Sequence, residues 1–144
     1  GKYVLVDNVT LTNSATLPSG LKLCLNGHSI NGTVVIFNDN IEICNCETEN
    51  SGSITQIQVS NGKTIKVGGK INTKITLGSN ALIDITENIT GSKIYVIPSK
   101  EGLITNGLKT YGGNPMLGQY IYVKLPDSSY GVIKTKSGEI KVIK

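Results

Sequence analysis

Short runs in which every second residue is apolar recur along the chain, each ending in a polar, glycine-containing corner. In "LKLCLNGHSING" (21–32), Leu21, Leu23 and Leu25 alternate with Lys22 and Cys24 before the chain breaks into Asn-Gly. The design returns in "IEICNCETENSGSITQ" (41–56), "TIKVGGKINT" (64–73) and "LIDITENITGS" (82–92). Strict alternation over four to eight residues is the mark of a half-buried strand. Each corner is followed by a lone isoleucine, Ile30, Ile54, Ile71 or Ile89, and then by another short strand such as "VVIF" (34–37), "IQVS" (57–60), "KITL" (74–77) or "KIYV" (93–96).

The alternating positions Leu23, Ile43, Ile65 and Ile83 recur about every 20 residues. A chain that advances by one strand spacing per loop of that length is a parallel β-solenoid, in which inward side chains stack on their counterparts one rung away. An antiparallel sandwich would also have short, turn-bounded strands. It gives no reason, however, for isoleucine to return at a fixed place after each corner. After Pro98 the pattern changes to a glycine-rich stretch and then three strand-like runs, "QYIYVKL", "YGVIKTK" and "EIKVIK". The expected architecture is all-β: parallel rungs over 1–104, and a cap of antiparallel hairpins over 105–144 that closes the end of the core within one structural domain.

Composition agrees, with nineteen isoleucines and eleven valines against two alanines, and fourteen asparagines and seventeen glycines for the corners. Charge is uneven. Residues 1–60 hold two lysines against five acids, and residues 61–144 hold twelve lysines against five acids. There is no arginine, which counts against sequence-specific nucleic-acid readout and bidentate clamping of phosphate. No apolar run is long enough for a membrane-spanning helix, and membrane insertion is not expected.

Residues 3–11 with Tyr3, Asp7 and Thr10, Pro18-Ser19-Gly20, the run "LCLNGHSI" from Leu23 to Ile30, and Cys44 with Cys46 together resemble a module of large secreted surface proteins of Gram-positive, often gut-dwelling, bacteria. The closing "DSSYGVIKTKSGEIKVI" is similar to the end of such modules. The resemblance implies a pectate-lyase-like right-handed β-helix, an extracellular or cell-surface location, and a role in adhesion or glycan binding. Against that resemblance, residues 1–144 hold one copy of the module.

Candidate chemistry is sparse. His28 is the only histidine, so no catalytic triad can be assembled around it, and Asn26-Gly27-His28 reads as a structural turn. Cys24, Cys44 and Cys46 leave three readings open: unpaired stacked thiols, a disulfide from Cys24 to Cys44 or Cys46, or a zinc site completed by His28. Cys-x-Cys is not the usual zinc knuckle, and neither a metal nor another cofactor is expected. A polysaccharide lyase of this fold class would want an arginine base and clustered acids. Arginine is absent, and Asp7, Asp39, Asp84 and Asp127 are dispersed, so no enzymatic activity is expected. The best binding clue is aromatic: Tyr111, Tyr120, Tyr122 and Tyr130 fall within twenty residues, beside Asn114 and Asp127. Tyrosine rings stack on sugar faces while Asn and Asp hydrogen-bond hydroxyls. Tyr120 and Tyr122 would equally suit the core of the cap. The expected partners are glycans or cell-wall polymers, with a purely structural spacer as the alternative.

Overall fold

A computed structural model describes residues 1–47, 49–105, 119–135 and 139–144. The chain winds between two sheets. It runs through β1 (Lys2–Val4), the short β2 (Val9–Thr10) and β3 (Ala15–Thr16), β4 (Lys22–Cys24), β5 (Ser29–Ile36), β6 (Ile41–Cys44), β7 (Gly52–Val59) and β8 (Thr64–Gly68). It continues through β9 (Ile71–Leu77), β10 (Leu82–Ile85), β11 (Lys93–Ile97) and β12 (Gly102–Thr105). The last described strands are β13 (Ile121–Val123), β14 (Gly131–Lys134) and β15 (Ile140–Ile143). Sheet A has the order β1-β4-β6-β8-β10-β12-β15-β14; sheet B has the order β13-β11-β9-β7-β5-β2, with β3 also on β5. From β1 to β12 every pairing within each sheet is parallel, giving a β-solenoid of about five turns rather than a sandwich.

Inward residues form stacked columns. In sheet A, Ile41, Ile65 and Ile83 lie in register, as do Leu23, Ile43, Val67 and Ile85. In sheet B, Val34, Ile57, Ile75 and Val96 do the same. Most of these side chains are fully buried, each worth about 2 kcal/mol of transfer free energy.

The isoleucine that follows each corner is not a separate strand, because in β5 and β7 it runs into the next strand through an irregularity, between Ile30 and Thr33 and between Ile54 and Ile57. The register also differs from the simple alignment of isoleucines. Ile65 pairs with Ile41, and Ile71 lies beside Gly52, so Thr73 sits in the column between Ile54 and Ile94. A two-residue slip keeps every side chain on its own face, so alternation alone cannot detect it.

Thr73 is therefore a hydroxyl in an aliphatic column. It is buried, and its Oγ1 has no hydrogen-bond partner among the described residues. Replacing it with valine keeps the shape and removes an unpaired polar atom. Thr73→Val is expected to raise the unfolding free energy by about 1 kcal/mol in a urea titration. A loss instead would mean that the hydroxyl has a partner in solution.

Asparagines brace one rung against the next. Asn26 Nδ2 donates to the Leu5 carbonyl, Asn38 Nδ2 to Leu17, and the side-chain oxygens of Asn61 and Asn72 accept from the backbone N–H groups of Ser79 and Lys93. These partners lie 18–21 residues apart, one turn of the solenoid. What composition presents as turn chemistry also satisfies backbone groups that the corners leave open.

At the C-terminal end, β14 and β15 form an antiparallel hairpin, and β15 pairs antiparallel with β12, bringing Ile140 and Val142 over the core. The first of the three runs expected as hairpins behaves differently: β13 pairs in parallel with β11 and extends sheet B by one more strand. The antiparallel cap thus closes sheet A, while sheet B keeps its parallel stacking through Val123.

Candidate functional site

In β11, Ile94 and Val96 point inward and are fully buried, which turns Lys93 and Tyr95 to the outer face of sheet B. In β13, Ile121 is buried and Tyr122 faces out. Ladder register places Ile94 on Ile121, Tyr95 on Tyr122 and Val96 on Val123. The two tyrosine rings stack with centroids 5.2 Å apart and planes 26° from parallel, an offset pairing favourable for aromatic quadrupoles. Tyr95 is 50% exposed and Tyr122 45%, so the pair presents a wide aromatic surface to solvent.

Lys74 is the ladder partner of Tyr95 on the preceding rung, and it too is exposed. The neighbouring outer positions carry amides and hydroxyls: Gln56, whose Nε2 donates to Thr76 Oγ1 at 2.9 Å, Gln58, and Asn72. The sequences of β5, β7, β9, β11 and β13 contain no aspartate or glutamate.

Of the residues singled out from sequence that lie among the described residues, only Tyr122 belongs to this surface. Tyr120 and Tyr130 are half-buried and pack against the core, with the Lys144 ammonium 5.3 Å from the centroid of the Tyr130 ring. Tyr120 thus shares no exposed face with Tyr122: Tyr120 lies before β13, where strict alternation has not begun. Asp127 is committed to a turn, where its carboxylate accepts from the Ser129 N–H and hydroxyl; these bonds hold its pKa below the ordinary value. Tyr111 and Asn114 lie outside the described residues. Tyr95 is the partner that sequence reasoning missed. Its signal is the repeated tripeptide Ile-Tyr-Val at 94–96 and 121–123, one rung apart.

The cysteine corner is structural. Cys24 and Cys44 are direct ladder partners, yet the disulfide joins Cys24 to Cys46, with Cα atoms 5.8 Å apart. A bridge across 22 residues stabilises by about 3 kcal/mol through loss of chain entropy in the unfolded state. With two of the three sulfurs bonded to each other, the four-ligand zinc set weighed from sequence is not assembled. Cys44 stays a free, buried thiol, and burial, followed by the charge of Glu87, pushes its pKa up. It is accordingly a poor nucleophile. Asn26 and Gly27 take positive φ values of 51° and 75°, as an Asn-Gly turn requires, and His28 contributes its backbone, donating to Leu25 and accepting from Ser53.

Sheet A carries the densest charge cluster. Lys22 Nζ lies 3.3 Å from Glu42 and 3.6 Å from Glu87, and Thr86 Oγ1 donates to Glu42. The hydrogen bond to Glu42, then that carboxylate's charge, holds the Lys22 ammonium above its ordinary pKa. Both carboxylates thus meet on the Lys22 ammonium, an ion-pair cluster that links β4, β6 and the corner after β10. Among known proteins, no family model, no curated protein and no solved structure matches this chain.

Proposed function

We propose that this chain is a non-catalytic binding module of an exported or cell-surface protein, and that it holds carbohydrate on the outer face of sheet B. The observation that carries the reading is the exposed, stacked pair Tyr95 and Tyr122. Stacked rings with exposed apolar faces and polar tips suit the C–H faces and hydroxyls of sugars. The Cys24–Cys46 disulfide favours an oxidising compartment outside the cytosol. A right-handed, pectate-lyase-like winding is the form of β-helix that the sequence resemblance brings to this reading, and the rule that parallel crossovers are right-handed favours the same sense.

The rival is an architectural spacer, in which the tyrosine pair only stiffens the outer end of sheet B. A glycan array read with the wild type and with Tyr95→Ala/Tyr122→Ala separates the two, once circular dichroism shows the variant folded. The double variant is expected to lose roughly 30-fold in affinity, two ring contacts of about 1 kcal/mol each. Unchanged binding by the variant would move the site elsewhere, and a wild type that binds no neutral or acidic glycan would favour the spacer.

A further inference from the structure

The tyrosine pair is flanked by lysines that form no ion pair among the described residues. Lys74 precedes Tyr95 in the same ladder column, Lys93 lies two residues before Tyr95 on β11, and Lys124 lies two residues after Tyr122. All three are exposed, and none has a carboxylate within ion-pair distance among the described residues. The other lysines of known pairing behave differently. Lys22 is held by Glu42 and Glu87, and Lys63 by Asp39. β5, β7, β9, β11 and β13 supply no aspartate or glutamate, so no acid of these strands offsets the lysines on this face.

Resting on the carbohydrate reading above, we infer that the ligand is an acidic polysaccharide, laid over the column Lys74–Tyr95–Tyr122 with Lys93 and Lys124 on its flanks. Rungs stack at about 4.8 Å, so this column spans about 10 Å and meets more than one sugar residue. Each component has its own task. The rings take the sugar faces, the amides of Gln56, Gln58 and Asn72 meet hydroxyls, and the ammonium groups meet the repeating negative charge. Ammonium is a hydrated point charge without the fixed fork of a guanidinium, so carboxylate, sulfate and phosphodiester groups are all acceptable to it. The recognised chemistry is therefore a regularly charged sugar polymer, with the kind of acid left to the source.

The test is isothermal titration of the whole chain with polygalacturonate, chondroitin sulfate, a glycerol-phosphate polymer and neutral dextran, at low and moderate salt. Polygalacturonate or chondroitin sulfate is expected to bind more tightly than dextran, and more tightly than the glycerol-phosphate polymer, which carries charge but no sugar ring, and to weaken about tenfold as salt shortens the screening length. Which acid binds identifies the source. Lys74→Gln/Lys93→Gln/Lys124→Gln is expected to lose about tenfold for that polymer and most of its salt dependence, the combined effect of three surface charge contacts. Lys2→Gln/Lys141→Gln, on sheet A, is expected to change little. An equal loss in that pair, or duplex DNA binding as tightly as the best polysaccharide, would reduce the effect to diffuse charge attraction and overturn the inference. Salt-independent binding of dextran through the tyrosines would overturn it while leaving the carbohydrate reading intact. Binding to none of the polymers would overturn the inference, while the glycan array decides the carbohydrate reading.

Discussion

Asn45→Ala is expected to cost about 4 kcal/mol of folding free energy, from the loss of one acceptor and two N–H donors at roughly 1 kcal/mol each and the desolvation of the backbone groups left unpaired. Asn45 is 5% exposed and sits at the corner after β6. Its Oδ1 accepts from the Gly27 N–H at 2.8 Å, and its Nδ2 is shared among the carbonyls of Asn50 at 2.8 Å, Lys70 at 3.0 Å and Glu47 at 3.1 Å. One amide thereby ties its own corner to the corners of the rungs on either side. Alanine leaves those backbone groups in a space with little water, so the penalty includes their desolvation. For a domain of 144 residues that loss lowers the melting temperature by roughly 13 °C. Asn45→Asp makes a sharper version of the test. It keeps the acceptor for Gly27 but turns a carboxylate oxygen toward three carbonyls, which raises the folded-state pKa above the unfolded one. Its stability is then highest below the unfolded pKa and falls as pH rises through the folded pKa. A variant with flat pH dependence and a loss under 1 kcal/mol would show that water replaces the amide.

Gly69→Ala is expected to destabilise to a similar extent, about 4 kcal/mol. Gly69 has φ +80°, a left-handed conformation that costs an L-residue about 1–2 kcal/mol. A methyl group there also collides with the Asn45 carbonyl oxygen, and the backbone must move apart at a point where Asn45 N–H donates to the Gly68 carbonyl. Overpacking of this kind adds about 1–3 kcal/mol. Gly62 is the internal comparison: its φ is +72°, but open space surrounds it, so Gly62→Ala carries only the conformational cost. Urea midpoints of the two variants separate the contributions. Equal losses would mean that the Asn45 contact yields freely.

Sequence patterning made the solenoid legible because an inward column of Leu, Ile and Val must repeat at the rung length. Register was less legible. Ile54 over Thr73, with Ile71 against Gly52, preserves the parity of every side chain, and only corner geometry distinguishes it from Ile54 over Ile71. The corner residues Asn26 and Gly27 were readable from their conformational tolerance. The role of Asn45 was not, since a bond between residues 18 or 25 positions apart has no local signature. The cysteines show the same limit: ladder neighbours Cys24 and Cys44 are the pair alternation suggests, whereas Cys46, just past the strand, makes the bond. For the binding surface, clustering along the chain pointed to Tyr120, Tyr122 and Tyr130. Parallel stacking instead pairs Tyr122 with Tyr95, 27 residues earlier, and draws the other two toward the core.

The surface assignment is tested most directly by titrating the isotope-labelled protein with the tightest-binding acidic polysaccharide and following backbone amide shifts by NMR. The account predicts that perturbations concentrate on β9, β11 and β13, around Lys74, Tyr95 and Tyr122, and vanish in Tyr95→Ala/Tyr122→Ala. Perturbations centred on Lys22, Glu42 and Glu87 of sheet A, with sheet B silent, would contradict it.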